Sequence, residues 1–176
     1  MHETFNNNRF LTFRLNNEKY GFEILAIQEI IGYQKAIHIP RTPDYVKGVL
    51  NLRGKIIPVI DTAVKFGLPE KPPSTYTAII ITNLQNINIG FVVDEVNEVA
   101  TVSEEQLSAP PEFGSSISVS YIAKMAQIDS EVIMILDLEK ILDFSDLQAM
   151  KSVAESREAK EERERGVEDE KLNVVL

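Results

Sequence analysis

The chain has 176 residues, of which 44% are hydrophobic, and its formal net charge at pH 7 is -9. This length and composition are sufficient for one substantial domain or for two small ones, each with a buried core. The sequence contains no cysteine, which excludes disulfides, thiolate metal sites and a cysteine nucleophile. Because the net charge is negative, we expect no binding to nucleic acid or to an anionic membrane surface, and protein partners are favoured.

The N-terminal segment, residues 1–8, lacks the basic start and the apolar core of a signal peptide. We expect this segment to be flexible. No apolar run in the sequence approaches the roughly 18 residues that a membrane-spanning helix needs. We therefore expect a cytoplasmic protein that does not insert directly into a membrane.

From residue 9 onward the sequence is a series of short β-rich runs separated by turn residues. The runs predict strands in the order RFLTFRL, KAIHI, VKGVLNL, KIIPVI, TAIIIT, INIGFVV, EVATV, YIAKMAQI and EVIMIL. Turns rich in Asn, Asp and Ser, such as NNEK, NLQN and DS, separate several of these runs. Short helical turns are predicted at residues 62–66 and 137–142. A series of this kind is typical of small barrels or of a sandwich.

An internal repeat predicts that the β fold is duplicated. Residues 10–66 form one repeat block and residues 79–142 form the other. The aligned segments are 10–32 with 79–101 and 45–66 with 121–142, and the matched pairs include Gly21 with Gly90, Glu29 with Glu98, Tyr45 with Tyr121 and Asp61 with Asp137. We therefore predict two similar small β units.

The last part of the chain, residues 145–176, changes to a charged helical pattern. Ser145 and Gln148 have the spacing of a capping box at its start. The predicted apolar stripe consists of Leu147, Met150 and Ala154. We expect a helix that docks by its first two turns only and ends near Gly166, followed by a disordered tail.

No residue pattern in the sequence supports catalysis or the binding of a metal or cofactor. Of the two histidines, His2 lies near the terminus and His38 alternates with isoleucines on a predicted strand, as a solvent-facing histidine does. The acidic group between Asp94 and Glu112 lacks the spacing of an EF-hand, so we interpret it as a solvated or partner-facing surface. Neither a P-loop nor a G-x-G-x-x-G motif is present. We therefore expect no catalytic residue, no metal and no cofactor.

Arg53 and Gly54 lie between two strand-like runs in the stretch GVLNLRGKIIPVID. One interpretation is a hairpin bend in which Gly54 supplies a positive φ. The other is that Arg53 makes bidentate hydrogen bonds to a carboxylate of this chain, with Glu29 as the candidate, or of a partner. The residues alone leave both open, and they also leave open an enzyme or small-ligand domain in which Arg53 is an anion clamp.

The segment from Tyr20 to Phe66 resembles the CheW family of chemotaxis coupling proteins. It contains the family elements YG-(I/F)-x-I-x-x-(V/I)-x-E-I, P-x-x-(I/V)-x-G-V-x-N-L-R-G and (I/V)-P-(V/I)-x-D in the family's order and spacing. The resemblance continues through GFVVDEVNEV and ILDLEKIL and covers residues 9–144. It implies an all-β fold of two SH3-like five-stranded β-barrels packed around a groove, with a C-terminal helix.

The resemblance also implies a function. Proteins of this family are non-enzymatic adaptors that couple the cytoplasmic tip of chemoreceptors, the methyl-accepting chemotaxis proteins, to the regulatory domain of the histidine kinase CheA in signalling arrays. We therefore expect these two partners and recruitment to membrane-associated receptor arrays. The partner-binding or coupling positions that the resemblance implies are Ile27, Glu29, Gly48, Arg53 and Val99. In the family the arginine pairs with the glutamate, which implies an ion pair between Arg53 and Glu29.

The charge distribution adds one expectation to this interpretation. Residues 1–65 carry nine Lys/Arg against six Asp/Glu, whereas residues 66–150 carry three against 13. A basic first unit and an acidic second unit favour head-to-tail pairing with like-folded partners, which can close into rings. The charged segment 151–176 exceeds the usual final helix of the family, and a solubilising helix is its plainest interpretation.

Overall fold

The computed structural model describes residues 8–110 and 119–175. Most of the segment predicted to be flexible, residues 1–8, lies outside the described residues. The strands are β1 Arg9–Leu15, β2 Glu18–Glu23, β3 Ile27–Gly32, β4 Val46–Leu52, β5 Lys55–Asp61, β6 Ala78–Leu84, β7 Ile87–Val93, β8 Glu95–Thr101, β9 Leu107–Ser108, β10 Ile122–Ile128 and β11 Glu131–Leu136. The helices are α1 Thr62–Lys65, α2 Leu138–Ile141 and α3 Phe144–Val175.

The strands form two sheets, which confirms the predicted all-β class with a C-terminal helix. Sheet A has the order β8-β1-β2-β11-β10-β9, and sheet B has the order β3-β6-β7-β5-β4. The pairs β2 with β11 and β5 with β7 are parallel, and the other pairs are antiparallel. Neither sheet closes through backbone hydrogen bonds in the described residues, so the closed SH3-like barrel is not confirmed.

The sequence repeat is visible in the order of the strands. When β1, β2, β3, β4 and β5 are matched to β6, β7, β8, β10 and β11, sheet B reproduces the first five strands of sheet A. Each sheet combines strands of both repeat blocks, however, so the idea that each block forms its own unit is wrong. The reason is that the chain leaves sheet A after β2 and returns to it after β7, and the parallel pairs then join strands of different repeats.

Matched residues of the repeat also make matched hydrogen bonds. The N–H of Asp61 donates to the carbonyl of Tyr45 at 2.8 Å, and the N–H of Asp137 donates to the carbonyl of Tyr121 at 2.9 Å. Each aspartate then caps the short helix that follows it, with a side-chain oxygen that accepts a backbone N–H. Both predicted helical turns are therefore confirmed.

The strand predictions were incomplete at two places. The strands β2 and β3 were not predicted as separate elements, because a polar hairpin and a helical turn interrupt their apolar pattern. The predicted strand KAIHI is only a single bridge, in which Ile37 exchanges both backbone hydrogen bonds with Val49 at 2.8 and 2.9 Å. The turns predicted at NNEK and NLQN are present, with positive φ at both central residues of each.

Both faces of both sheets are buried. Between the sheets lies the central cluster, whose fully buried members include Phe13, Tyr20 and Phe22 from sheet A and Ile80, Ile89 and Phe91 from sheet B. The opposite face of sheet A buries Phe10, Ala126, Ile133 and Ile135, and that of sheet B buries Leu50, Ile57, Val59, Ile79 and Ile81. Alternate residues of one strand thus enter different clusters, which explains why the strands are continuously apolar.

The long helix α3 is capped two residues earlier than predicted, at Asp143 and not at Ser145, and it ends later. Asp143 and Asp146 cap it reciprocally, because each accepts the backbone N–H of the other, at 2.8 and 3.3 Å. The predicted pair of Ser145 and Gln148 is not the cap. The helix continues through Gly166 to Val175, so the predicted end at Gly166 and the disordered tail are wrong. A glycine inside a helix costs only about 1 kcal/mol, too little to end it here.

The docking of α3 also extends beyond its first two turns. Leu147 and Met150 of the predicted stripe are buried in the central cluster, and Ala154 is half-buried. The Tyr45 hydroxyl donates to Asp146 Oδ1 at 2.6 Å, while Lys65 lies 3.7 Å from the other oxygen. Burial acts against ionisation of Asp146, but the Tyr45 hydroxyl and Lys65 outweigh it and lower the pKa of this carboxyl.

Replacing Tyr45 with phenylalanine should destabilise the fold by about 1–2 kcal/mol at pH 7, since it removes a hydrogen bond to a charged group. Because the pKa of Asp146 is lowered in the folded state, its contribution is present above the pKa of an unfolded aspartate, about 3.9, and is lost as pH falls further. The loss on Tyr45→Phe should therefore shrink in acid. Urea denaturation across pH measures it, with Tyr76→Phe as the control, since Tyr76 is exposed. An equal loss at every pH would contradict this account.

Candidate coupling site

The hairpin between β4 and β5 ends in a turn formed by Arg53 and Gly54. Both have positive φ, 53° and 85°, as a two-residue turn of this type requires. The N–H of Gly54 donates to Asn51 Oδ1 at 2.9 Å across the turn. The sequence predicted a bend here with positive φ at the glycine, and the structure adds that Arg53 shares the left-handed conformation.

Arg53 also makes the implied ion pair, since its Nη2 donates to Glu29 Oε2. Glu29 lies in β3, which is one edge of sheet B, whereas Arg53 lies on the hairpin that forms the other edge. The pair therefore connects the two edges of a curved sheet. Because the Arg53 side chain is 69% exposed, the pair contributes at most about 1 kcal/mol to stability. Its main effect is to fix the position of the turn. Arg53 is thus both part of the turn and paired with a carboxylate of this chain, but through the single contact of Nη2 with Oε2 and not through the predicted bidentate hydrogen bonds.

Sheet A makes the matching connection in a different way. Glu98 in β8 is the repeat counterpart of Glu29, but the hairpin β10 to β11 carries Asp129 in the place of Arg53. Glu98 and Asp129 are both carboxylates and cannot pair directly, and Lys19 of β2 instead bridges Glu98 to Glu131 of β11. Its Nζ is 2.6 Å from Glu98 Oε1 and 3.2 Å from Glu131 Oε2. An edge strand and a hairpin are therefore connected in both sheets, directly in one and through a lysine in the other.

The lysine of this bridge is held in its charged form. The Lys19 side chain is only 8% exposed, and burial alone would lower its pKa. The hydrogen bonds to Glu98 and Glu131 outweigh burial and raise the pKa of Lys19. The hydrogen bond from Lys19 in turn lowers the pKa of Glu98. Both shifts favour the charged forms of Lys19 and Glu98, so this contact is an ion pair at neutral pH.

Gly48 is a structural glycine rather than a contact residue. It is buried in β4 with a φ of +136°, at a register shift in the pairing with β5. A Cβ at this position would lie 2.0 Å from the carbonyl oxygen of Ile37. Only glycine therefore allows residues 33–40 to approach β4 and to form the bridge between Ile37 and Val49. Any coupling role of Gly48 must act through this segment, whose side chains Tyr33 and Ile37 are exposed.

The remaining two candidate positions lie on matched edge strands. Ile27 begins β3 and packs, half-buried, against the central cluster. Val99 lies in β8, where it pairs with Leu11 of β1, and it is 40% exposed. Four of the five implied positions are thus in sheet B and one is in sheet A. The structure brings Glu29 and Arg53 into direct contact, and it places Gly48 on the same hairpin as Arg53.

Sequence reasoning missed two residues that shape this site, Lys19 and Asn51. The repeat carried a signal for the first: Glu98 matches Glu29, yet its expected partner is replaced by Asp129, so a cation from elsewhere is required. Asn51 had a weaker signal, since asparagine often bonds to backbone two or three residues further on in a turn.

A groove lies where the two sheets meet. Its lining comes from sheet A, sheet B and the connections next to them, and includes Phe10, Ala26, Leu84, Ile135 and Leu138. Leu25, in the helical turn between β2 and β3 that also contains the lining residue Ala26, is 78% exposed. Within residues 8–110 and 119–175, no group of three or more His, Asp or Glu side chains could hold a metal ion. No helix in that part of the chain is long and apolar enough to cross a membrane.

Comparisons with known proteins agree on one family. The family model described as CheW-like domain matches residues 9–146. The chain is 37% identical over 147 residues to "Chemotaxis protein CheW" of Klebsiella aerogenes, covering 84% of this chain and 89% of that protein. It is 31% identical over 135 residues to the Bacillus subtilis protein of the same name, covering 77% and 86%.

A solved structure agrees with these sequence relatives. The crystal structure of "scaffolding protein TtCheW" from Thermoanaerobacter tengcongensis matches with a TM-score of 0.73 and 31% sequence identity. The match covers 80% of this chain and 95% of that chain.

The backbone at Gly48 gives a direct test of this geometry. Gly48→Ala should destabilise the fold by about 1–3 kcal/mol or more, because it combines a strained φ with a clash against backbone. It should also increase hydrogen exchange at Ile37 and Val49, whose amides form the bridge. The matched control is Gly32→Ala, since a Cβ there meets nothing within 4 Å. A Gly48→Ala variant as stable as this control, with both amides still protected, would show that the close approach is not required.

Proposed function

The chain belongs to the CheW-like family, and from this membership we propose that it is a non-enzymatic adaptor of chemotaxis signalling arrays. In this role it couples the cytoplasmic tip of chemoreceptors to the regulatory domain of the histidine kinase CheA. Recruitment by the receptors brings it from the cytoplasm to membrane-associated arrays. Residues 9–144 act as the coupling domain.

The observation that carries this proposal is the ion pair between Arg53 and Glu29. It presents an exposed turn in a fixed position at the edge of sheet B, as a docking surface for another protein requires. Four groups with a shifted pKa are Lys19, Tyr45, Glu98 and Asp146. Each is engaged in a hydrogen bond within the fold, so its shift has a structural cause and does not indicate acid or base catalysis.

Two surfaces suit the two partners. The groove between the sheets has apolar lining residues with charged ones, Glu23, Lys124 and Glu139 among them, beside them, which suits an amphipathic helix of the receptor tip. The outer part of one sheet then packs on the like-folded regulatory domain of the kinase. We assign coupling roles to Ile27, Glu29, Arg53 and Val99 through contact or positioning, and to Gly48 through the backbone.

The charge asymmetry persists when it is counted by sheet rather than by repeat block. Residues 24–93, which contain sheet B, carry seven Lys/Arg against four Asp/Glu. Residues 8–23 and 94–143, which contain sheet A, carry five against 13. A basic half and an acidic half favour head-to-tail pairing with like-folded domains, and such contacts can close into rings.

The adaptor role predicts the behaviour of Arg53→Ala. The variant should stay folded, because the pair is exposed, but should bind the receptor tip or the kinase regulatory domain about tenfold or more weakly, as loss of an interface arginine often does. Calorimetry against each partner separately measures this. Lys55→Ala, which removes a neighbouring exposed charge from the same hairpin, is the control.

The outcomes of that experiment separate the alternatives. If the unaltered chain binds neither partner, the adaptor function is wrong. If Arg53→Ala binds both as well as the control does, Arg53 has no coupling role. If the chain carries a tight anionic small ligand that Arg53→Ala loses, Arg53 is an anion clamp instead.

Head-to-tail pairing predicts a dependence on salt. Binding of the kinase regulatory domain should weaken several-fold between low and physiological ionic strength, since screening shortens the reach of charges to about 8 Å at 0.15 M. Titration at a series of salt concentrations measures the slope. An affinity that is constant over this range would remove the electrostatic part of the proposal.

A further inference from the structure

The helix α3 extends well beyond the part of the chain that the family model matches. The match ends at residue 146, whereas α3 continues to Val175. The helix runs antiparallel to β5, because Asp146 at its start lies 3.7 Å from Lys65, past the end of β5, whereas Glu158 accepts the N–H of Ile56 near the start of β5 at 3.3 Å. Its fourth and fifth turns therefore lie beside the tip of the hairpin that carries Arg53.

A chain of hydrogen bonds connects this part of α3 to the turn. Glu161 Oε2 accepts from the side-chain amide of Asn51 at 2.9 Å. The amide oxygen of Asn51 in turn accepts the N–H of Gly54 at 2.9 Å. Because one end of the amide donates and the other accepts, Glu161 selects the orientation of Asn51 that closes the turn.

Glu161 is itself held in place. Arg157 lies one turn before it on α3, with its Nε 3.4 Å from Glu161 Oε1. Both side chains are largely covered, at 22% and 20% exposed. This ion pair favours the orientation in which Glu161 reaches Asn51, although Arg157 Nε makes no hydrogen bond within the described residues.

The turn requires such a support. Arg53 has a positive φ of 53°, a conformation that costs a residue with a side chain about 1–2 kcal/mol. Its exposed ion pair with Glu29 offsets at most part of this cost. The hydrogen bonds from Asn51 to Glu161 and from Gly54 to Asn51 add a second contact on the other side of the turn.

We infer that the extension of α3 positions the coupling turn, with Glu161 acting through Asn51 and Gly54 on Arg53. The importance of this turn for partner binding rests on the proposed function. The support itself is a property of the free chain and can be tested without any partner.

The test compares Glu161→Ala, Glu161→Gln and the control Glu162→Ala in the full chain. Glu162 is the next residue of α3, carries the same charge and is exposed. The first measurement is the NMR order parameter of the Gly54 N–H, for which a rigid backbone gives about 0.85 and a flexible one less than about 0.6. The second is the dissociation constant for receptor tips and for the kinase regulatory domain.

Glu161→Ala should lower the order parameter of Gly54 toward the flexible range and weaken partner binding about two- to tenfold, as loss of one supporting hydrogen bond does. Glu161→Gln keeps an oxygen acceptor for Asn51 and should restore most of both. Glu162→Ala should change neither. Thermal unfolding midpoints should agree among the variants, which separates positioning of the turn from general stability.

A second variant approaches the same link from the turn. Asn51→Asp still accepts from Gly54 but can no longer donate to Glu161, and the two carboxylates repel. It should therefore resemble Glu161→Ala. An unchanged order parameter at Gly54 in both Glu161→Ala and Asn51→Asp overturns the inference. If the order parameter falls as expected but the unaltered chain binds no partner, the support is correct and the proposed function is wrong.

Discussion

The burial of both faces of two five- or six-stranded sheets is the constraint on which the rest of this structure depends. A sheet of this size can bury its second face without a further layer of secondary structure only by curving around the side chains of that face. Each of the two sheets curves in this way around a small cluster of its own. The faces with which the two sheets pack on each other share the central cluster. The rings of Phe22 and Phe91 are in contact there, with centroids 5.4 Å apart. Because the chain passes between the sheets after β2 and after β7, neither sheet is complete without both repeat blocks.

Neither sheet closes through backbone hydrogen bonds in the described residues, and in each of them a charged contact joins an edge strand to a hairpin. The duplicated fold makes the comparison direct. Glu29 and Glu98 occupy the same position on matched edge strands, but one hairpin offers an arginine and the other a carboxylate. In sheet A, Lys19 lies between two carboxylates and pairs with both. Burial of this cation costs free energy, which its hydrogen bonds to the two carboxylates offset. Sheet B keeps its charged group exposed, and this asymmetry makes the Arg53 turn the more accessible of the two.

Much of this arrangement could be predicted from the sequence, and the failures have physical causes. The fold class, most strands, the hairpin turns and the capped helical turns follow from local patterns of apolar, turn and capping residues. The sharing of strands between the sheets could not be predicted, because a repeat shows which segments are alike but not which of them pair. The length of α3 was underestimated because Gly166 and the charged composition were given more weight than the hydrogen bonds of a continuous helix. The role of Gly48 was implied only by resemblance. Glycine is required there because the carbonyl of Ile37, 11 residues away along the chain, lies close to it, and the local sequence does not show this approach.

Four of the five implied coupling positions act on the same part of the molecule, and their physical roles differ. Glu29 and Arg53 fix the turn from the side of the edge strand, whereas Gly48 allows residues 33–40 to cover β4. Ile27 attaches the edge strand to the central cluster. Removing any one of these interactions would move the hairpin relative to the groove before it removed a contact with a partner. Loss of coupling at such positions therefore does not by itself identify an interface. The distinction requires a variant that changes the exposed surface of the hairpin and leaves these internal contacts intact.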